Sequence, residues 1–220
     1  MHKTVQNLIN IQNLIKSKQS VSKNDSKIPK IIAVSKTFTL NYILPLIEHG
    51  HIDYGENKVQ EAVEKWSEIK SKKKNLKLHL IGKLQTNKVK IAVKLFDFIH
   101  SLDNEKLARK ISDEQKKQKL ETKLFIQVNI GNESQKNGIH VNKLGEFYNY
   151  CKELNLNIVG IMCIPPIDDD PKVSFSKMSN LQEKMNFEEI SMGMSSDYLD
   201  AIKYNSSFLR IGSSIFGPRS

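Results

Sequence analysis

Ile31-Ile32-Ala33-Val34-Ser35-Lys36 is a short apolar strand that ends abruptly in an amine. Outward from it, segments that read as strands alternate with segments that read as helices. The strand segments are 31–35, 52–55, 77–81, 97–101, 123–130, 157–162, 188–192 and 207–211. Helical patterns fall near 40–49, 57–72, 86–94, 104–118, 141–153, 174–187 and 196–203, with a short final turn at 213–216. Eight βα repeats in one chain predict an α/β fold, a single (β/α)8 TIM barrel, with loops at the strand C-termini collecting the chemistry. An extra amphipathic N-terminal helix is expected around Val5 to Ile15, followed by a polar linker through Lys27.

Local punctuation agrees with this register. Asp103 and Asn104 can cap the helix carrying Leu107 and Ile111, and Gly50 follows the helix before the second strand. Pro45 falls inside the apolar pattern of 40–49, so that helix either starts late or is kinked. Asp168-Asp169-Asp170 precedes Pro171 and reads as a solvated helix start or as a metal-binding carboxylate cluster.

A chain of 220 residues suits one domain over 1–220 with one well-buried core. No segment resembles a signal peptide or a membrane span, so a soluble, cytoplasmic protein without a membrane partner is expected. Cys151 and Cys163 have no metal or disulfide spacing and read as buried, reduced thiols. The net charge of +10 raises the question of nucleic acid, but only Arg109, Arg210 and Arg219 among the 34 basic residues are arginine. The lysines are spread along the chain, as codon bias toward AT would produce, and no specific nucleic-acid partner is expected. The densest run, at 70–74, reads as a solvated helix end.

An amine at a barrel strand end can form an imine once burial or a neighbouring positive charge lowers its pKa, although a solvent-reaching Lys is the simpler alternative for Lys36. Two turns far downstream, Ser191-Met192-Gly193-Met194-Ser195 and Arg210-Ile211-Gly212-Ser213-Ser214, follow the last two strands, where barrels bind phosphate. Gly193 and Gly212 allow close backbone approach, and Ser195 and Ser213 can donate hydrogen bonds. Imine chemistry beside a phosphate site suggests pyridoxal phosphate (PLP). Arg210 points at a ring or a phosphate, or else forms a surface ion pair. Asn57 can bond a ring substituent, and Glu56 can hold Lys36 or its polar neighbours. His79 reads as a core histidine before a general base, and Met162 as a residue packing against a ring.

AVSKT at 33–37, YGENKVQEA at 54–62, HLIGKLQTNK at 79–88, SMGMSSDY at 191–198 and RIGSSIFG at 210–217 together resemble the pyridoxal phosphate homeostasis protein family, small PLP-binding proteins related to the alanine racemase N-terminal barrel. The resemblance implies pyridoxal 5'-phosphate held as an internal aldimine on Lys36. It implies phosphate contacts from Ser195, Gly212 and Ser213, and ring contacts from Asn57 and Arg210. It further implies a non-catalytic PLP carrier, a monomer that buffers the cofactor and delivers it to apo PLP-dependent enzymes. A racemase-like enzyme needs a second base, which alanine racemase takes from a further domain and a neighbouring subunit; none is expected before Ser220. A Schiff-base aldolase using Lys36 is the other alternative.

Overall fold

The computed structural model describes residues 1–21, 28–133 and 135–218. Residues 22–27, the end of the expected polar linker, and Arg219 lie outside the described residues. The strands are β1 (Lys30–Val34), β2 (Asp53–Glu56), β3 (Lys77–Leu80), β4 (Phe98–Leu102), β5 (Lys123–Asn129), β6 (Ile139–His140), β7 (Ile158–Met162), β8 (Glu189–Met194) and β9 (Phe208–Ile211). All pairings are parallel, and β4 pairs with β5 while β1 pairs with β9, so the sheet closes on itself. Eight strands form a TIM barrel. The two-residue β6 adds to β5 outside the ring and was too short to leave a signal in the sequence.

The helices are α1 (Lys3–Val21), α2 (Leu40–Glu48), α3 (Val59–Lys72), α4 (Val89–Leu95), α5 (Glu105–Gln118), α6 (Leu144–Glu153), α7 (Pro171–Met185), α8 (Tyr198–Ala201) and α9 (Ser213–Phe216). Helix α1 buries Val5, Leu8, Ile11 and Ile15 on one stripe, and the Asn7 side chain donates to the Ile215 carbonyl at 2.9 Å. It continues past the expected end at Ile15 into the residues expected to be linker. Helix α2 starts at Leu40, not late, with Pro45 inside it. Asn104 caps α5 by accepting from the Leu107 N–H. Asp170 caps α7 by accepting from the Lys172 N–H, with Pro171 in the first turn, so the acidic run serves a helix start. Among the described residues no cluster suits a metal ion, and no helix is long and apolar enough to cross a membrane.

Alternation along each strand sorts side chains into two separate cores. Ile31, Ala33, Leu209 and Ile211 face the helices, while Ile32, Val34, Phe98, Phe125, Met162 and Phe208 fill the barrel interior. The same alternation sends polar side chains inward. His79 stacks on Phe98 with ring centroids 4.4 Å apart, and His100 stacks on Phe125 at 4.2 Å. Gly160 makes room for the neighbouring strand, since a Cβ there would meet the Glu189 carbonyl oxygen at 1.9 Å. Cys151 and Cys163 are free and buried, and burial pushes both thiols up to about 12.

Candidate functional site

The C-terminal ends of the strands surround a cavity of about 640 Å³. Lys36, Asn57, Ser195, Arg210, Gly212 and Ser213 all line it, although they come from loops as much as 177 residues apart in the chain (36 to 213). The barrel brings these six together, while Gly193, also singled out from the sequence, is not among the lining residues. Val34, Ile81 and Met194 add apolar walls, and Ser214 adds a hydroxyl.

Lys36 leaves β1 through a tight turn closed by the Phe38 N–H donating to the Ser35 carbonyl at 3.1 Å. Thr37, third in that turn, has φ 69°. A β-branched residue in this region is strained by roughly 1–2 kcal/mol, and a turn of this sign favours glycine. The surroundings hold it there. Glu56, fully buried on β2, accepts at one oxygen from the Ser35 hydroxyl at 2.8 Å, Lys65 Nζ at 3.0 Å and Trp66 Nε1 at 2.9 Å. Lys65 also donates to the Ser35 carbonyl at 2.9 Å. Glu56 thus organises the residue before Lys36, as one of the two sequence readings had it.

Asn57 follows β2, and its Oδ1 is buried without a hydrogen-bond partner in the protein. Gly82, which also lines the cavity, packs directly against it: a Cβ at Gly82 would lie 2.2 Å from the Asn57 carbonyl oxygen. That pair of strand ends can approach only because residue 82 has no side chain.

On the opposite wall, the Ser195 hydroxyl accepts from the Gly212 N–H at 3.2 Å and the Ser214 N–H at 3.3 Å. The Ser214 hydroxyl donates to the Ser195 carbonyl at 3.5 Å. The two final βα loops are therefore tied together by serines. Helix α9 is a single turn, so anion binding here would come from individual N–H and O–H groups rather than from a long helix dipole. Strand β8 runs through Met194, beyond the expected end at 192, with a register shift against β9 between Ser191 and Met194. Gly193 therefore sits in a bulged strand at φ 89°, and a Cβ there would meet the Ala201 Cβ at 2.6 Å. Its role is to admit α8, not to approach a phosphate. Met162 is buried in the barrel interior below the cavity, and Met194 takes the wall position.

Arg210 is 5% exposed, and is a buried residue rather than a surface ion-pairing one. Its Nη1 donates to the Ser191 hydroxyl and its Nη2 to the Cys163 carbonyl, each at 2.8 Å. Burial lowers its pKa, an effect opposed by Asp197. A guanidinium starts so far above neutrality that it stays charged.

The sequence profile of the alanine racemase N-terminal domain matches residues 7–220. The pyridoxal phosphate homeostasis protein of Pasteurella multocida is 34% identical over 225 residues, covering 97% of each chain. The chain belongs to the pyridoxal phosphate homeostasis protein family. The family member from Aquifex aeolicus is 36% identical over 200 residues, covering 86% of this chain and 87% of that one. PipY of Synechococcus elongatus, solved with PLP bound, superposes with a TM-score of 0.78 at 30% identity, covering 94% of this chain and 100% of that one. Alanine racemase of Clostridium difficile shares the fold, with a TM-score of 0.73 at 16% identity over 98% of this chain and 56% of that one.

Gly82 and Ser214 in the cavity, and Thr37 beside it, escaped the sequence reading. Gly82 sits within a quoted motif but looks like any turn glycine until the approach of Asn57 is seen. Ser214 is one residue past Ser213, and nothing in a Ser-Ser pair says which hydroxyl turns inward. Thr37 carries no sign of its φ.

Proposed function

We propose that the protein binds pyridoxal 5'-phosphate in the cavity at the barrel mouth and serves as a carrier that buffers the cofactor and releases it to apo PLP-dependent enzymes. The observation that carries this reading is the convergence of an amine, a buried amide oxygen without a partner in the protein, paired serines and a buried guanidinium on one cavity of about 640 Å³. The residues fit the group. PLP supplies an aldehyde able to condense with an amine, and Lys36 is the amine facing the cavity. Ser195 and Ser213 offer hydroxyl donors suited to a phosphate, and the Gly212 N–H can join them by exchanging its Ser195 acceptor for a phosphate oxygen. A Cβ at Gly212 would meet nothing in the protein closer than 3.4 Å, so the protein itself does not require glycine there. The bare backbone at that position suits a bound phosphate instead.

Asn57 and Arg210 face the ring in this reading. The Asn57 amide, whose oxygen has no partner in the protein, presents either that oxygen or, flipped, its nitrogen to a ring substituent. Arg210 remains cationic and disfavours protonation of a ring nitrogen beside it, which weakens the ring as an electron sink. Among the described residues lining the cavity, Lys36 and Arg210 are the only titratable side chains. Racemisation and aldol cleavage both call for a further acid or base next to the reacting carbon. The lining therefore favours holding over turnover, and the protein acts as a single-domain monomer in this proposal.

The test is the visible absorption spectrum of purified protein with PLP, followed by borohydride reduction and peptide mass mapping. One pyridoxyl adduct, on Lys36, is expected. Adducts scattered over many lysines, or no visible band, would overturn the cofactor assignment. Exchange of the α-proton of an amino acid in deuterated water would overturn the carrier reading and favour a racemase.

A further inference from the structure

Five polar side chains from five strands meet inside the barrel. Arg210 Nη1 lies 2.8 Å from Ser191 Oγ, and Ser191 Oγ lies 3.0 Å from His100 Nδ1. His100 Nε2 lies 3.0 Å from His79 Nδ1, and His79 Nε2 lies 3.0 Å from Asp53 Oδ1. Arg210 lines the cavity at the C-terminal ends of the strands, whereas Asp53 opens β2 at the other end. His79, His100 and Ser191 are fully buried, and Asp53 and Arg210 are nearly so.

The two ends dictate where every proton sits. A guanidinium can only donate, so Ser191 Oγ accepts from Arg210 and has its single proton for His100. His100 Nδ1 must then accept, which leaves the proton of the neutral ring on Nε2, donating to His79 Nδ1. The same step repeats at His79, whose Nε2–H ends on the Asp53 carboxylate, a group that can only accept. Each donor along the row points away from the cavity, and no member lacks a partner. Desolvation lowers the pKa of both histidines; Asp53 opposes it at His79, and the Arg210 charge adds to it at His100.

We propose that Asp53, His79, His100 and Ser191 are positioning residues, forming a one-directional hydrogen-bond relay through the barrel that holds the Arg210 guanidinium in the cavity. The consequence for cofactor affinity rests on the PLP reading above, while the relay itself does not. The titratable groups around its outer end are Asp97, Lys30 and His51. Asp97 and Lys30 act on His79 in opposite directions, and His51 bonds the Asp53 backbone carbonyl at 2.9 Å. Asp197 acts on Arg210 at the inner end.

Two measurements decide the matter. Long-range proton–nitrogen NMR correlation on protein with 15N-labelled histidine, without cofactor, is expected to show His79 and His100 neutral and protonated at Nε2 near pH 7. A proton on Nδ1 of either ring, or an imidazolium, would overturn the relay. The second compares Asp53→Leu with Asp53→Asn. Leucine keeps the volume but removes the acceptor, whereas asparagine keeps an acceptor oxygen. Asp53→Leu is expected to shift the tautomer signals of His100, which Asp53 does not touch, and to weaken PLP binding on the order of tenfold. Asp53→Asn is expected to retain the wild-type tautomers and most of the affinity. Equal behaviour of the two variants would reduce Asp53 to packing and overturn the proposal. Wild-type protein that fails to bind PLP would overturn the proposed function alone, with the tautomers still judging the relay.

Discussion

Removing the Glu56 carboxylate should destabilise the protein by about 3 kcal/mol, and the structure shows where that figure comes from. Three donors converge on one oxygen of a carboxylate that is fully buried, and one donor is the ammonium of Lys65, 14% exposed, at 3.0 Å. At an effective dielectric of about 20 the ion pair alone carries roughly 5–6 kcal/mol of Coulomb energy, most of it offset by desolvation. Deleting one member of a buried pair typically costs about 3–5 kcal/mol because the other charge is stranded. Lys65 retains some access to water, which puts Glu56→Ala at the lower end. Such a loss lowers Tm by about 6–12 °C for a chain of this length. Urea unfolding would measure it, alongside Lys65→Met and the double variant Glu56→Ala/Lys65→Met. The double variant should lose less than the sum of the singles, with a coupling above about 1 kcal/mol. Because Lys65 and Glu56 both hold Ser35, the PLP attachment proposed for Lys36 should slow in the same variants. A loss below about 1 kcal/mol for Glu56→Ala, with additive singles, would refute the reasoning.

Lys36→Ala should abolish the visible band with PLP while changing stability little, as read by absorption and thermal melting. His51, His79 and His100 have pKa values lowered by burial, so they stay neutral in the fold while the unfolded chain takes up protons below about pH 6.5. Stability contributed by that neutrality is full above that pH and is lost as pH falls, by up to about 1.4 kcal/mol per histidine per pH unit, which urea titrations between pH 7 and 5 would detect. Gly82→Ala drives a methyl to 2.2 Å from the Asn57 carbonyl oxygen and should cost about 2 kcal/mol or more, whereas Gly145→Ala, with open space in α6, should gain about 0.5–1 kcal/mol in the same assay. Thr37→Gly should relieve the strain at φ 69° and leave stability unchanged or raised by about 0.5–1 kcal/mol, net of the greater freedom of glycine in the unfolded chain, as read by thermal melting.

The barrel was legible in the sequence because each strand candidate is a local pattern. A run such as Ile31 to Val34, bounded by Pro29 and a polar turn, needs no distant residue to be recognised. Eight such runs separated by helical patterns leave few other architectures. Lys36 was legible for the same reason, standing at the end of a run, as were Asn57, Ser195, Arg210, Gly212 and Ser213 at the ends of theirs. The strand count placed the two glycine turns at the last two βα loops, and in the structure all six residues line one cavity.

Which face of a strand looks into the barrel was not legible, because both faces are buried: Ile31 and Ile32 look alike in sequence, yet one packs under helices and the other fills the interior. His79 and His100 therefore gave no sign of pointing at each other, and Asp53 gave none of pointing at His79. Only closure of the ring through the β1–β9 and β4–β5 pairings sets which alternate residues converge. The Gly193 bulge and the serine ties between the last two loops depend on the same closure. Local patterning determined the elements and the chemistry at their ends; the direction of the Arg210–Asp53 row and the buried network beneath Lys36 were decided by contacts between residues far apart in the chain, which no local pattern encodes.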